Sequence, residues 1–258
     1  MIHFVKYHGT GNDFILIDGR DIELPALDVA SLCHRRFGIG ADGLMIIQNR
    51  AGYDFEMVYY NSDGETSSMC GNGGRCIAHW AWTLGIAGNR KELKFWAPDG
   101  EHIAYINEDG SVRLGMRNVE HCLEINETDA TLDTGSPHYV RQVHRLPENF
   151  IDQARSIRNQ KEYISDGINV NMYEVCSNIQ LKSRTFERGV EDETWSCGTG
   201  ATAVALHFAS QNTSKEAPAV IIQTLGGDLK VYFERSTNGF KNVFLEGPAT
   251  FVYSGYLQ

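Results

Sequence analysis

Two glycine-rich segments, each headed by a cysteine, constrain the fold of this 258-residue chain more than any other feature. The first reads C-G-N-G-G-R-C-I-A from Cys70, and the second reads C-G-T-G-A-T-A-V-A from Cys197. The two cysteines are separated by about half the chain. A similarity with a period of half the length indicates two copies of one domain rather than an array of short repeats.

The hydrophobic pattern around the two segments supports a duplication. Apolar residues at 77, 78, 81 and 84 follow a helical period after Gly71, and those at 201, 204, 205 and 208 do so after Gly198. In both halves the predicted helix precedes three strand-like runs separated by turn residues. Strands are also predicted at 14–18, 44–48 and 55–60. We therefore predict an α+β chain with domains at 1–118 and 119–258, in which the last strand can cross back to the first domain.

Composition narrows the class of protein. The chain is 42% hydrophobic and 22% charged, as globular proteins are, and its net charge of -10 argues against nucleic acid as a partner. The N-terminus lacks the pattern of a signal peptide, and no apolar run approaches the roughly 18 residues of a membrane helix. Six cysteines without C-x-x-C spacing predict free thiols and no zinc site. We expect a cytoplasmic protein that does not bind membranes.

The two cysteine-headed segments have a physical interpretation in common. Glycines at the start of a helix let a ligand approach the backbone and leave N–H groups available for an anion such as a carboxylate. A cysteine at the same place has its thiolate stabilised. Two such thiols on opposite sides of one carbon could invert its configuration, one removing a proton and the other delivering one. The alternative is a pair of buried structural cysteines, with glycines for close packing. A dinucleotide site is disfavoured, because G-T-G-A-T-A does not follow a strand-like segment.

Several further motifs, taken in order, resemble the diaminopimelate epimerase family over essentially the whole chain. They are K-Y-H-G-T-G-N-D-F, R-F-G-I-G-A-D-G-L, Y-N-S-D-G-E-T-S-S-M-C-G-N-G-G-R-C, G-S-P-H, I-N-V-N, F-E-R-G-V-E-D-E-T-W-S-C-G-T-G-A, G-G-D-L and E-G-P-A. The resemblance implies two pseudo-symmetric domains, each a β-barrel-like sheet around a central helix, with the active site in the cleft between them. It also implies an isomerase that interconverts LL- and meso-2,6-diaminopimelate without a cofactor, in the synthesis of lysine and peptidoglycan precursors. A homodimer stays open as the assembly.

By the same resemblance, Cys70 and Cys197 are the two catalytic bases, and ten further residues contact the substrate. The predicted substrate-binding residues are Asn12, Asn61, Gly71, Asn72, His138, Asn169, Glu187, Arg188, Gly198 and Thr199. Among them, Arg188 suits a distal carboxylate by bidentate pairing. Each asparagine also has a structural interpretation, since an Asn before S-D-G is often only a turn residue.

Two departures from the family pattern lie close to the predicted site. Ser136 stands where the family often has asparagine, and the run from Glu187 to Cys197 is one residue longer than usual. Two alternative enzymatic functions remain at this point, and a third alternative is a non-enzymatic amino-acid-binding module with structural cysteines. Proline racemases and hydroxyproline epimerases share the two-cysteine logic but resemble M-C-G-H-G at the first thiol, where this chain has Asn72. A thiol redox protein would need one peroxidatic and one resolving cysteine.

Overall fold

We describe a computed structural model of the chain over residues 1–67, 69–212 and 219–257. Ser68, in the stretch that leads into Cys70, lies outside the described residues. The described helices are α1 Val29–Cys33, α2 Gly71–Thr83, α3 Phe150–Arg158 and α4 Gly198–Gln211. None of them is long and apolar enough to cross a membrane.

Strands dominate the described part of the chain, so the prediction of an α+β fold is confirmed. The strands are β1 Ile2–Gly9, β2 Asn12–Asp18, β3 Gly43–Gln48, β4 Phe55–Asn61, β5 Glu92–Ala97, β6 Gly100–Ile106, β7 Val112–Gly115, β8 Leu123–Glu124, β9 Asp129–Asp133, β10 Pro137–Gln142, β11 Asn169–Val175, β12 Gln180–Glu187, β13 Asp192–Thr194, β14 Val220–Thr224, β15 Gly227–Arg235, β16 Phe240–Gly247 and β17 Thr250–Leu257.

The chain divides into two compact units. One contains Met1–Leu114 and Gly247–Gln258, and the other contains Gly115–Glu246. The C-terminal strand β17 pairs antiparallel with β1, which places both ends of the chain in the first unit. The predicted domain boundary between residues 118 and 119 stays a prediction.

The two units repeat one order of strand pairing. In the first, β1–β2 is antiparallel, β2–β3 parallel, β3–β4 antiparallel, β4–β5 parallel and β5–β6 antiparallel. In the second, β9–β10, β10–β11, β11–β12, β12–β14 and β14–β15 follow the same alternation. In each unit the second parallel pair is joined by a helix, α2 or α4, since parallel neighbours need a long crossover connection. The two units therefore share one order of strand pairing, in agreement with the duplication that the sequence predicts.

Each crossover helix is enclosed by the strands of its own unit. Helix α2 contacts β1, β2, β3 and β6, and α4 contacts β9 to β12, β14 and β15. The sequence predicts one apolar face for α4, whereas every residue from Gly200 to Ala209 is buried. A helix that is apolar all round is enclosed rather than laid on a surface. Burial of Val204, Leu206 and Phe208 stabilises the unit by about 1.5–3 kcal/mol for each side chain.

Candidate active site

In the first unit, Cys70 is the N-cap residue of α2. Its backbone is extended, with φ -107° and ψ 127°, and the helix begins at Gly71. The first N–H groups of a helix have no intrahelical acceptor, so Gly71 and Asn72 belong to the turn whose N–H groups can bind an anion. Cys70 itself is half-buried, while Gly71 and Asn72 are buried.

A tight turn brings Asn12 to Cys70. Thr10 and Gly11, between β1 and β2, both have positive φ (52° and 92°), as a two-residue hairpin turn requires. The side-chain Nδ2 of Asn12 donates to Asp42 Oδ2 at 2.7 Å. Its Oδ1 lies 3.6 Å from Cys70 Sγ and accepts from Asn72 Nδ2 at 3.3 Å. The structure thus brings together three predicted site residues.

Arg75 is a site feature that sequence reasoning missed. Its guanidinium is completely buried in the first turns of α2, where it donates to Gly71 O at 3.2 Å and Asn72 Oδ1 at 3.1 Å. Burial lowers the pKa of Arg75, and negative charge on Cys76 or Cys70 would raise it. A signal existed in the sequence, because an arginine inside an otherwise glycine-rich and apolar helix start needs buried acceptors.

The second unit presents Cys197 at the equivalent position. It is the N-cap of α4, with φ -118° and ψ 114°, and its Sγ accepts from the Gly200 N–H at 3.4 Å. The Thr199 hydroxyl lies 3.4 Å from the same sulfur. Only 8% of Cys197 is exposed. Both helices therefore begin with a thiol next to backbone N–H groups, as the sequence predicts.

His138, on β10, connects this thiol to the core of its unit. The imidazole is fully buried; its Nε2 lies 2.9 Å from Thr199 Oγ1 and its Nδ1 lies 3.0 Å from Asn171 Nδ2. Burial, together with the charge of Arg188, lowers the pKa of His138 to about 3. The ring is therefore neutral at physiological pH and acts through hydrogen bonds rather than charge.

Asn171 is a second site residue that the sequence analysis does not predict. In the I-N-V-N run of β11, alternate side chains point to the same face, so Asn169 and Asn171 lie side by side. That alternation is the signal that could have found it. Asn171 is completely buried, which for an amide requires partners on both of its polar atoms.

The side chain of Asn169 makes hydrogen bonds to other residues of its own unit. Its Nδ2 donates to Ser136 Oγ at 2.8 Å and to Pro137 O at 3.1 Å. Its Oδ1 accepts from the backbone N–H of Arg188 at 2.9 Å. Ser136, the departure from the family pattern, therefore accepts a bond from Asn169. The amide fixes the two loops that carry Ser136 and Arg188, and only the second lone pair of Oδ1 is available for a ligand.

The remaining predicted residues lie at the ends of strands. Glu187, at the end of β12, accepts from Thr194 Oγ1 at 2.6 Å. Arg188 is exposed and donates to Asp166 O at 3.0 Å. Asn61 closes the turn after β4, with its N–H donating to Glu65 O and its carbonyl accepting from Gly64 N. The turn role that the sequence allows for Asn61 is therefore present.

The other buried cysteines differ from the two N-cap thiols. Burial raises the pKa of Cys76 to about 12 and that of Cys33 to about 11. These thiols stay protonated, as core residues do. Across residues 1–67, 69–212 and 219–257, no group of three or more His, Cys, Asp or Glu side chains could hold a metal ion.

The architecture is shared with solved structures whose sequences have diverged widely. A phenazine biosynthesis protein of the PhzF family from Bacillus anthracis superposes with a TM-score of 0.76 at 15% identity, covering 100% of this chain and 99% of that one. A probable proline racemase from Agrobacterium radiobacter, with bound carbonate, gives 0.71 at 12% identity, with 100% and 93% covered. These likenesses establish the fold, which proteins of several activities share.

Sequence similarity narrows the class. A diaminopimelate epimerase from Flavobacterium psychrophilum is 47% identical, with 96% of this chain and 97% of that protein covered. One from Chlorobaculum tepidum is 39% identical, with 96% and 98% covered. The family model described as diaminopimelate epimerase matches residues 4–122 and 130–252. The chain belongs to the diaminopimelate epimerase family, and the predictions of this family and of an isomerase are confirmed.

Proposed function

We propose that this protein interconverts LL- and meso-2,6-diaminopimelate, with Cys70 and Cys197 as the two acid/base groups. One observation carries the proposal. Each compact unit presents a cysteine at the N-cap of a buried, glycine-rich helix, and the two units have the same strand order. The family relationship supplies the substrate. We place the reaction in the cytoplasm, in the supply of lysine and peptidoglycan precursors.

The proposed reaction is a proton exchange at one α-carbon. A thiolate takes the α-proton, the electron pair stays on the carbon as a carbanion delocalised into the carboxylate, and the other thiol gives a proton to the opposite face. The α-proton of an amino acid is weakly acidic, so the developing charge needs oriented donors. The N–H groups of Gly71, Asn72, Gly198 and Thr199 belong to the helix turns that can supply them.

Other side chains would hold the rest of the substrate. The exposed Arg188 suits the distal carboxylate, while Glu187 suits an ammonium group. Asn12 and Asn61 are proposed to bind the substrate through their amides. Asn169 is assigned a mainly positioning role, since its amide already bonds to Ser136 and to the Arg188 backbone.

A proline-directed reaction is the nearest alternative. Proline racemases resemble M-C-G-H-G at the first thiol, and this chain has Asn72 at the position of that histidine. Asn72 is 1% exposed. Its amide donates to Asn12 and accepts from Arg75. An imidazole could not reproduce both bonds with the same geometry, because it lacks an amide oxygen. This arrangement favours the diaminopimelate assignment.

The decisive assay follows α-deuterium uptake. Reduced protein is incubated in D2O with LL-diaminopimelate and, in parallel, with L-proline. We expect deuterium in diaminopimelate and formation of the meso isomer, with no exchange in proline. Cys70→Ala and Cys197→Ala should each abolish epimerisation, while Cys76→Ala, which changes a buried core thiol, serves as the control. Exchange in proline alone would overturn the substrate assignment, and full turnover by either N-cap variant would overturn the two-base scheme.

A further inference from the structure

We propose that Cys197 is the thiolate and Cys70 the thiol of the resting enzyme, and that a directed chain of hydrogen bonds through Asn171, His138 and Thr199 sets this assignment. The inference rests on the proposed two-thiol function and deepens it. It starts from the polarity of the hydrogen bonds at each sulfur.

The orientation of the Asn171 amide is fixed by its neighbours. One of its polar atoms lies 3.1 Å from the backbone carbonyl of Tyr139, which can only accept, so that atom is Nδ2. The opposite atom, Oδ1, then accepts from the Thr185 hydroxyl at 2.9 Å. Because the same Nδ2 lies 3.0 Å from His138 Nδ1, it donates there as well.

The amide in turn fixes the tautomer of His138. Its Nδ1 accepts from Asn171, so the proton of the neutral ring is on Nε2. That N–H donates to Thr199 Oγ1 at 2.9 Å. The Thr199 hydroxyl accepts this bond, and its own hydrogen is directed to Cys197 Sγ at 3.4 Å. Every bond in the chain therefore donates toward the sulfur.

Cys197 thus receives donors on its sulfur. The Thr199 hydroxyl and the Gly200 N–H are each 3.4 Å away, and the sulfur caps the positive end of α4. Hydrogen bonds to the charged form of a group favour that form. Donors and the helix end both stabilise a thiolate at this position.

At Cys70, by contrast, the group that faces the sulfur is a hydrogen-bond acceptor. Asn12 directs its Nδ2 to the Asp42 carboxylate, which accepts hydrogen bonds, so its Oδ1 faces the Cys70 sulfur at 3.6 Å. An amide oxygen cannot donate, and a thiolate would be repelled by it. Only the protonated thiol of Cys70 can use this contact, by donating its S–H.

Charged groups act around both sulfurs. Near Cys70, the N-terminal end of α2 and the buried cation Arg75 favour ionisation, while Asn12 presents its Oδ1 to the sulfur. Near the hydrogen bonds that lead to Cys197, Arg188 is the charged residue that acts on His138. Glu187 lies at the end of the adjoining strand β12. The direct bonds at each sulfur decide the resting state. Arg75 then stabilises Cys70 as a thiolate after it has given its proton to the substrate.

The test measures thiolate formation at each cysteine without substrate, so its outcome is independent of whether diaminopimelate is turned over. Full-length protein is alkylated with iodoacetamide across a range of pH, and each modified peptide is quantified by mass spectrometry. Cys70→Ser and Cys197→Ser proteins are treated in parallel, so that neither thiol's charge affects the other's titration. The exposed Cys176 reports reagent activity within the same molecule.

Three variants separate the directed chain from simple packing. Thr199→Val removes the hydroxyl donor, and Thr199→Ser restores it. Thr202→Val is the matched control, because it removes a hydroxyl from the same helix that donates to Gly198 O and not to sulfur. A hydrogen bond to a charged group contributes about 1.5–3 kcal/mol. One pKa unit corresponds to about 1.4 kcal/mol, so Thr199→Val should raise the Cys197 midpoint by about one to two pH units.

The expected result is a lower alkylation midpoint for Cys197 than for Cys70, raised by Thr199→Val, restored by Thr199→Ser and unchanged by Thr202→Val. Two results would overturn the inference. One is a Cys70 midpoint equal to or below that of Cys197. The other is a Cys197 midpoint that does not respond to Thr199→Val.

Discussion

The substitution Gly200→Ala tests whether the close approach of α4 to β11 supports the site. A Cβ at residue 200 would lie 2.4 Å from Asn171 Oδ1 and 3.2 Å from Thr185 Oγ1. Ordinary contact begins at 3.4 Å, so the Asn171 amide has to move by about 1 Å. It is held in place by buried bonds to Thr185, Tyr139 and His138, so this movement disrupts those bonds.

The cost follows from those three bonds. Each contributes about 1 kcal/mol net, so losing them costs about 3 kcal/mol. Alanine is favoured over glycine inside a helix by about 1 kcal/mol, which offsets part of the loss. The net destabilisation is about 2 kcal/mol. For a chain of this size that corresponds to a fall in Tm of about 4–8 °C.

Gly73→Ala is the matched control. Gly73 is the third residue of α2, as Gly200 is of α4. A Cβ there would lie 3.1 Å from the terminal Cε and Sδ of Met45, which is a flexible side chain. Calorimetry should show Gly73→Ala near wild type and Gly200→Ala clearly lower, with Gly200→Ala also losing epimerase activity because His138 shifts. Equal Tm values for the two variants would refute the steric argument.

Two further predictions concern buried charge. Burial alone raises the pKa of Asp129, but hydrogen bonds from Arg141 and Tyr139 outweigh it and lower that pKa to about 2. Because the pKa of Asp129 is lower in the folded than in the unfolded state, its ionised carboxylate stabilises the fold at pH values above the unfolded pKa of about 4. This stabilisation is lost as the pH falls toward 2. Urea unfolding should therefore show a stability advantage of wild type over Asp129→Asn at pH 6 that shrinks between pH 4 and 2, and a constant difference would contradict the assignment. Arg75→Met removes four hydrogen bonds that the guanidinium donates, the two shortest of them to Gly71 O and Asn72 Oδ1. We expect it to lower the free energy of unfolding by about 2–4 kcal/mol, and Arg75→Lys to lower it by less. An unchanged free energy of unfolding for Arg75→Met would contradict this prediction.

Much of the fold follows from local signals. The helical period after Gly71 and Gly198 predicts α2 and α4 because glycine marks both starts, and the strands at 14–18, 44–48 and 55–60 all form. Helix α3 was not predicted, and α4 is buried on all sides rather than on one. Enclosure depends on strands distant in sequence, so the periodicity of one helix does not reveal it.

The candidate site likewise has some features that follow from local sequence and others that depend on the tertiary fold. The positions of Cys70 and Cys197 as N-cap residues follow from the sequence around each of them. The partners of His138 do not, because they depend on the register of β10 against β11, which pairs His138 with Asn169. That tertiary register places Asn171 beside the imidazole, and the fixed amide gives the hydrogen bonds their direction.

The central claim is that two thiols share the inversion, and isotope labelling at low conversion tests it most directly. LL-diaminopimelate and the meso isomer are each incubated separately with enzyme in D2O, and both recovered substrate and product are analysed by mass spectrometry. With two bases, the proton that the thiolate removes returns only to the same face of the carbon, while the opposing thiol supplies deuterium to the other face. The account predicts α-deuterium in the inverted product and almost none in the recovered substrate, from either direction. Equal labelling of substrate and product at early times would show a single exchanging base and would contradict it.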